Sequence, residues 1–283
     1  MTPAGWVGDE LRDVRGPSAL GGGIPRALDL LYLIAVTEFK RAYHGTALGY
    51  LWSLARPLLV YAVLLTVFTQ AFRLGDRVAH YPLLLLLNVV LFGFFQEATT
   101  QAVSSIVNHE AVVRKTQFPR LVIPLAVVLT SFFNLALNLA VVLAFVLVAG
   151  VSPAWTWLLL GLLLVLLYVL TTALAVLLSA LFPRFRDTAV IWGVASMALF
   201  YGTPVLYPLE IVSGTLRDVL ALNPLTALFE LARKWVIDPG APAPVAFSGG
   251  PLRALAPVVL YVATCALAVW VFSREAPRIA EEL

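Results

Sequence analysis

Three groups of side chains in this sequence carry chemistry that its apolar bulk does not. Glu97 is a carboxylate at the end of a long apolar run that turns polar through Gln101, Ser104 and Ser105. A carboxylate inside a membrane is costly and marks function, whereas one at the water boundary is ordinary, and both readings stand. Arg184, Arg186 and Asp187, in "PRFRD", set two guanidinium groups within one turn. Such a pair holds phosphate oxygens by charge-assisted hydrogen bonds. A positive anchor at a membrane surface, or an Arg to Asp pair across the turn, uses the same residues. Asn134 and Asn138 stand four residues apart in an apolar stretch, the spacing of amides that bond to a neighbouring helix, and we read them so.

Other chemistries lack their residues. No G-x-x-x-x-G-K-[ST] loop is present, and Gly21 to Gly23 are not followed by the lysine that phosphates need, so energy from ATP has to come from another chain. The three histidines, His44, His80 and His109, lie in separate segments, and no D-x-D pair occurs. Both facts argue against a metal-dependent glycosyltransferase or hydrolase, and no metal site is expected. The single cysteine, Cys265, excludes an intrachain disulfide. One doubtful carboxylate and no internal repeat argue against an ion-coupled carrier.

The elements that must position these residues are helices in a membrane. Of 283 residues, 61% are hydrophobic and 12% charged, and the mean hydropathy is +0.92. The apolar runs approach or exceed the ~20 residues that an α-helix needs to cross ~30 Å of hydrocarbon. We expect an all-α integral membrane protein with six spans, at about 51–72, 82–107, 121–148, 155–182, 188–205 and 255–272. Residues 1–26 read as a flexible cytoplasmic tail without the apolar core of a signal peptide, and 27–283 as one transmembrane domain. The helix starting near Ala27 places Thr37, Lys40, Arg41 and His44 on one side and Ala35, Val36, Phe39, Ala42 and Tyr43 on the other, the pattern of a helix lying in the membrane surface. Between spans five and six, Thr215 to Leu222 and Leu225 to Ile237 are too short to cross. We read them as re-entrant helices divided by Asn223 and Pro224; a surface hairpin has the same pattern.

Thirteen of the nineteen Lys and Arg fall on the N-terminal side of the membrane; Arg73, Arg77, Arg217, Arg233, Lys234 and Arg253 fall on the other. The positive-inside rule then puts both termini in the cytoplasm. The net charge of +3 is too small to suggest nucleic acid.

On the same cytoplasmic side lies "NHEAVVRKTQFPRLVIP", residues 108 to 124. Asn108 is placed to cap a short helix, with Glu110 at its positive end and Arg114 and Lys115 near its negative end. Pro119 stops it, and Val112, Val113 and Phe118 are left for a partner. We read a docking element; an interfacial connector is the plain alternative.

That segment, with "FKRAYHGTALGYLWSLARPLL" (39 to 59), "LFPRFRDTAVIW" (181 to 192), "TPVLYP" (203 to 208) and "LNPLTALFELARKWV" (222 to 236), resembles the ABC-2 family of polysaccharide exporter permeases. These are membrane subunits that export O-antigen, teichoic acid and related lipid-linked glycans. The resemblance runs from about residue 27 through nearly the whole chain. It implies a non-enzymatic permease of the plasma membrane that pairs with a second copy of itself and with two nucleotide-binding ATPase subunits, which hold the ATP and Mg; this chain needs no cofactor. It further implies that Asn108 to Pro119 dock in a groove of the ATPase, and that the helix carrying Phe39, Lys40, Arg41 and Tyr43 joins that contact. The re-entrant helices would sit near the outer side of the pore. For a glycan cargo, the rings of Tyr61, Phe68, Phe72, Phe92, Phe95, Trp192, Phe200, Tyr201 and Tyr207 are expected along the path, and Arg184 and Arg186 at the phosphate of the headgroup. Packing and interfacial anchoring are what the same rings do in any membrane protein. Export of a drug or a lipid on the same fold is the alternative.

Overall fold

The computed structural model describes residues 23–43, 49, 51–110, 119–247 and 250–276. Every regular element among them is helical. The main helices are α1 (Gly23–Tyr43), α2 (Leu51–Gln70), α3 (Tyr81–Val103), α4 (Val122–Val148), α5 (Leu158–Leu181), α6 (Thr188–Gly202), α7 (Gly214–Ala221), α8 (Pro224–Ala232) and α9 (Ala256–Glu275). A 3-10 turn over Trp155–Trp157 leads directly into α5, and with it five helices reach membrane length.

The second expected span is shorter than the sequence suggests. Helix α3 ends at Val103, Ser104 leaves helical geometry, and Ser105–Asn108 form a separate short turn. The fifth is shorter still. Helix α6 has 15 residues, about 22 Å at ~1.5 Å per residue, and stops at Gly202 instead of Val205. Thr203 precedes Pro204, whose ring disfavours the helical region for its neighbour, and Thr203 is accordingly extended at φ −114° and ψ 145°.

Helix α3 is the axis of the bundle. It packs against α2, α4, α5 and α6, and 78% of its apolar window is buried within the chain, against 6% for α2 and for α9. The last two therefore present their apolar residues outward, to lipid or to protein. Helix α9 lies along α5, where the Tyr261 hydroxyl donates to the Leu166 carbonyl at 2.9 Å. Helix α1 lies on the first half of α4: Ala35 is fully buried, the Thr130 hydroxyl reaches the Ala35 carbonyl at 3.2 Å, and Phe39 meets Phe133 edge-on at 5.7 Å. Thr37, Lys40 and Arg41 stay exposed on its other side, as the helical spacing predicts.

Beyond α6 the chain runs extended while still buried, with Thr203, Val205 and Leu209 at 0% exposure. Backbone that is not helical survives in apolar surroundings only if its polar groups are satisfied by protein. Here α3 satisfies them. The Asn88 amide donates to the Pro204 carbonyl at 3.0 Å and the Val205 carbonyl at 3.3 Å, and the Tyr81 hydroxyl donates to the Leu206 carbonyl at 2.9 Å. Asn223 then starts α8 by accepting from the Leu225 N–H at 3.0 Å, with Pro224 at the first helical position where its missing N–H costs nothing. Two short helices divided at Asn223 and Pro224 thus agree with the sequence pattern.

Candidate functional site

One set of polar residues converges in a seam between α2, α3 and α4. Pro57 lies inside α2 and has no N–H to give the carbonyl of Ser53 four residues earlier. The Asn138 amide supplies that hydrogen bond from α4 at 3.1 Å, and also bonds the Asn134 carbonyl at 2.8 Å. One turn away, the Asn134 amide donates to Glu97 Oε1 at 2.8 Å, and Gln101 donates to the same oxygen at 3.3 Å. Arg56 of α2 lies within electrostatic reach of that carboxylate. Glu97 is therefore a member of an internal hydrogen-bonded network, and the two asparagines hold three helices together, as their spacing implies.

Below Glu97 the least buried face of α3 carries Gln96, Glu97, Thr100, Gln101 and Ser104, all polar, while the opposite faces are apolar and buried. This stripe leads into a groove of about 690 Å³ between α1, the end of α3 with its following turn, and the start of α4. Thr37, Glu38, Gln101, Ser104, Asn108 and His109 form its polar wall.

Of the expected docking residues, Val112, Val113, Arg114, Lys115 and Phe118 lie outside the described residues. Asn108 ends the Ser105–Asn108 turn, and its amide points back and donates to Ser104 Oγ at 3.1 Å; the first turn that it is expected to cap runs beyond Glu110 and outside the described residues. Glu110 is half-buried. Pro119 opens the turn into α4, its carbonyl accepting from the Val122 N–H at 2.9 Å. On α1, Arg41 pairs with Glu38 at 3.9 Å, Lys40 is exposed, and Tyr43 is the last helical residue.

The aromatic residues divide into two populations. Phe92 and Phe95 are 1% and 0% exposed and form one packed cluster with Phe200, Phe229 and Trp192, at centroid separations of 5.2 to 6.5 Å and tilted or edge-on angles. The Trp192 indole N–H donates to Thr99 Oγ1 at 3.1 Å, which fixes α6 on α3. In this conformation Phe92, Phe95 and Trp192 turn their faces to protein. Phe72 and Tyr201 are largely exposed, Tyr61, Phe68 and Tyr207 are half-buried, Phe68 stacks on Phe72 at 5.1 Å, and the Tyr207 hydroxyl donates to the Tyr201 carbonyl at 2.9 Å.

Arg184 finds a partner the sequence does not suggest. It faces Glu275 at 3.8 Å, joining the α5 to α6 turn to the end of α9, and lies over the Phe185 ring, while Arg186 lies over Phe182. A second feature missed in the sequence is a buried charge cluster. Arg233, 2% exposed, meets Glu210 at 2.8 Å, Asp238 at 3.5 Å and Glu230 at 3.7 Å. Glu230, also 2% exposed, accepts from the Leu209 N–H at 2.7 Å. Burial pushes the Glu230 carboxyl above its usual range, opposed by that N–H and by Arg233. The cluster clamps the extended segment onto α8. Its only sequence signal is the i, i+3 spacing of Glu230 and Arg233; Glu210 and Asp238 come from separate turns.

A bundle with buried non-helical backbone, a polar seam and two outer helices whose apolar faces look outward defines a multi-pass helical membrane protein. The ABC-2 type transporter profile matches residues 29–236, and the chain belongs to that family. It is 28% identical over 248 residues to an O-antigen export system permease protein, RfbA, of Myxococcus xanthus, covering 87% of this chain and 93% of the relative. It is also 28% identical over 201 residues to a protein of the same name from Klebsiella pneumoniae, covering 71% of this chain and 77% of that one.

Proposed function

We propose that the chain is the membrane-spanning half of an ATP-driven exporter of lipid-linked polysaccharide, of the O-antigen, teichoic acid or cell-wall galactan kind. The single observation that carries this is similarity to an O-antigen export permease along nearly the full length of both chains. ATP and Mg act on a separate nucleotide-binding subunit, in keeping with the missing phosphate loop of this sequence. Two copies of each subunit form the working unit, with the exposed apolar faces of α2, α6 and α9 available to the second copy and to lipid. Both termini lie on the cytoplasmic side, α6 serves as the fifth of six spans, and α7 and α8 dip in from the outside. ATP-driven closure of the partner shifts the pore between closed and open states through residues 108–119.

The test is purification of the full chain from native membranes, followed by identification of what accompanies it and an ATPase assay. A stoichiometric ATPase whose turnover drives glycan export supports the proposal. A chain that transports without any ATPase overturns it and favours an ion-coupled carrier. An ATPase complex that moves a drug or a simple lipid but no glycan retains the family and overturns the cargo.

A further inference from the structure

The groove between α1, the end of α3 and the start of α4 has two unlike walls. Leu30, Leu33 and Ile34 of α1 and Ile123, Ala126 and Val127 of α4 make one side apolar. The other is rich in hydrogen-bonding capacity left over after the internal bonds are counted. Gln101 uses one N–H on Glu97, leaving its Oε1 and a second N–H. Asn108 uses its amide on Ser104 Oγ, leaving Oδ1 to accept and the Ser104 hydroxyl to donate. His109 Nδ1 faces the Ser105 carbonyl at 2.8 Å, which can only accept, so in the neutral ring Nε2 is a bare acceptor. Among the described residues no lysine or arginine lines the groove, and the carboxylate that does, Glu38, pairs with an Arg41 that points to the exposed side of α1. A phosphate would find neither of those cations among them. An ammonium would satisfy the acceptors but leave the Ser104 and Gln101 donors without a partner. Hydroxyl groups both donate and accept, and satisfy the whole wall. A volume of about 690 Å³ falls within the roughly 300–1,000 Å³ of ordinary small-molecule sites.

We propose that this groove binds an amphiphile with a neutral, hydroxyl-rich headgroup, its sugar or polyol on Gln101, Ser104, Asn108 and His109 and its acyl chain along Leu30, Leu33 and Ile123. Two sources share that chemistry: a resident membrane glycolipid, and the glycosyl end of the exported cargo. The assignment to cargo rests on the function proposed above; the chemistry of the groove does not.

The full chain in phosphatidylcholine nanodiscs is titrated with glucosyl diacylglycerol, phosphatidylglycerol and phosphatidylethanolamine, and bound lipid is read by native mass spectrometry. Glucosyl diacylglycerol is expected to bind at least tenfold more tightly than either phospholipid, and Gln101→Leu to abolish that preference without changing the weak phospholipid binding. Thr37→Val, on the rim of the same groove but with its hydroxyl already given to the Leu33 carbonyl, is expected to retain it. Equal binding of the three lipids, a preference for phosphatidylethanolamine, or an unchanged preference in a folded Gln101→Leu protein overturns the proposal. Lipid extracted from the natively purified chain separates the sources: a glycan carried on a lipid phosphate identifies cargo, and a free glycolipid identifies a resident. Glycolipid selectivity without ATP-driven glycan export would leave the groove standing and remove the transport function; export without selectivity would do the reverse.

Discussion

The Asn134 amide of α4 donates to the Glu97 carboxylate of α3 at 2.8 Å, in a bundle whose buried side chains are mostly apolar. Replacing Asn134 with Leu leaves the carboxylate without its shortest donor, a loss of about 1–3 kcal/mol. Glu97→Gln keeps an acceptor in place and is expected to cost less. Leucine at both positions should recover part of the single-mutant loss, because neither polar group is then stranded. Thermal unfolding of the purified chain measures all three; additive losses would show that the two side chains do not act together.

Arg233→Met removes the cation among Glu210, Glu230 and Asp238 and is expected to cost about 3–5 kcal/mol, the range for breaking a buried ion pair from one side. The pH dependence has a definite sign. Burial raises the Glu230 carboxyl above its usual 4.5, so the folded chain keeps a proton that the unfolded chain releases. That contribution is complete below the usual carboxylate range and is lost as pH rises through the raised value. Unfolding temperature should therefore climb as pH is lowered towards the usual carboxylate range, and Glu230→Gln should flatten that slope. A slope unaffected by Glu230→Gln would assign it to other groups.

Tyr81→Phe deletes the donor to the Leu206 carbonyl with little change in shape, and a net loss of about 0.5–1.5 kcal/mol is expected. Asn88→Leu, which strands two carbonyls, should cost more. Limited proteolysis between residues 203 and 213 is the local readout, and cleavage there should rise before any other site becomes sensitive.

Arg184→Ala breaks a pair whose arginine is 47% exposed and whose separation is 3.8 Å. Such pairs are worth about 0–1 kcal/mol, so little destabilisation is expected. If the guanidinium also holds a cargo phosphate, export should fall while the unfolding temperature stays. A parallel loss of both would assign Arg184 to structure alone.

Val113→Asp and Phe118→Asp place charge on the apolar residues of the expected docking segment. The membrane chain should stay folded while its copurification with an ATPase and its ATP-driven export are lost. Retained export in both variants would remove the segment from the coupling path.

The all-helical class, the division at Asn223 and Pro224, the polar side of α1 and the bonding role of Asn134 and Asn138 were all legible from local rules. Spacing, apolar run length and proline act within a few residues and are written in the sequence itself. The end of α6 was legible too, once Thr203 is seen to precede Pro204, yet hydropathy carried the expected span three residues further.

What only the tertiary structure decided is who stands opposite whom. Glu97 gained its donor from a residue 37 positions away, Arg184 paired with Glu275 and not with neighbouring Asp187, and Ser53 was completed by Asn138 because Pro57 had left its carbonyl open. The aromatic series, uniform as a list of rings, separated into buried Phe92, Phe95 and Trp192 and exposed Phe72 and Tyr201. In a chain whose apolar surface is equally at home in lipid and in protein, hydrophobicity selects the helices but does not orient them. Their rotation is set by interhelical packing and by polar groups that must find partners away from water, and those partners are close in space while far apart in sequence.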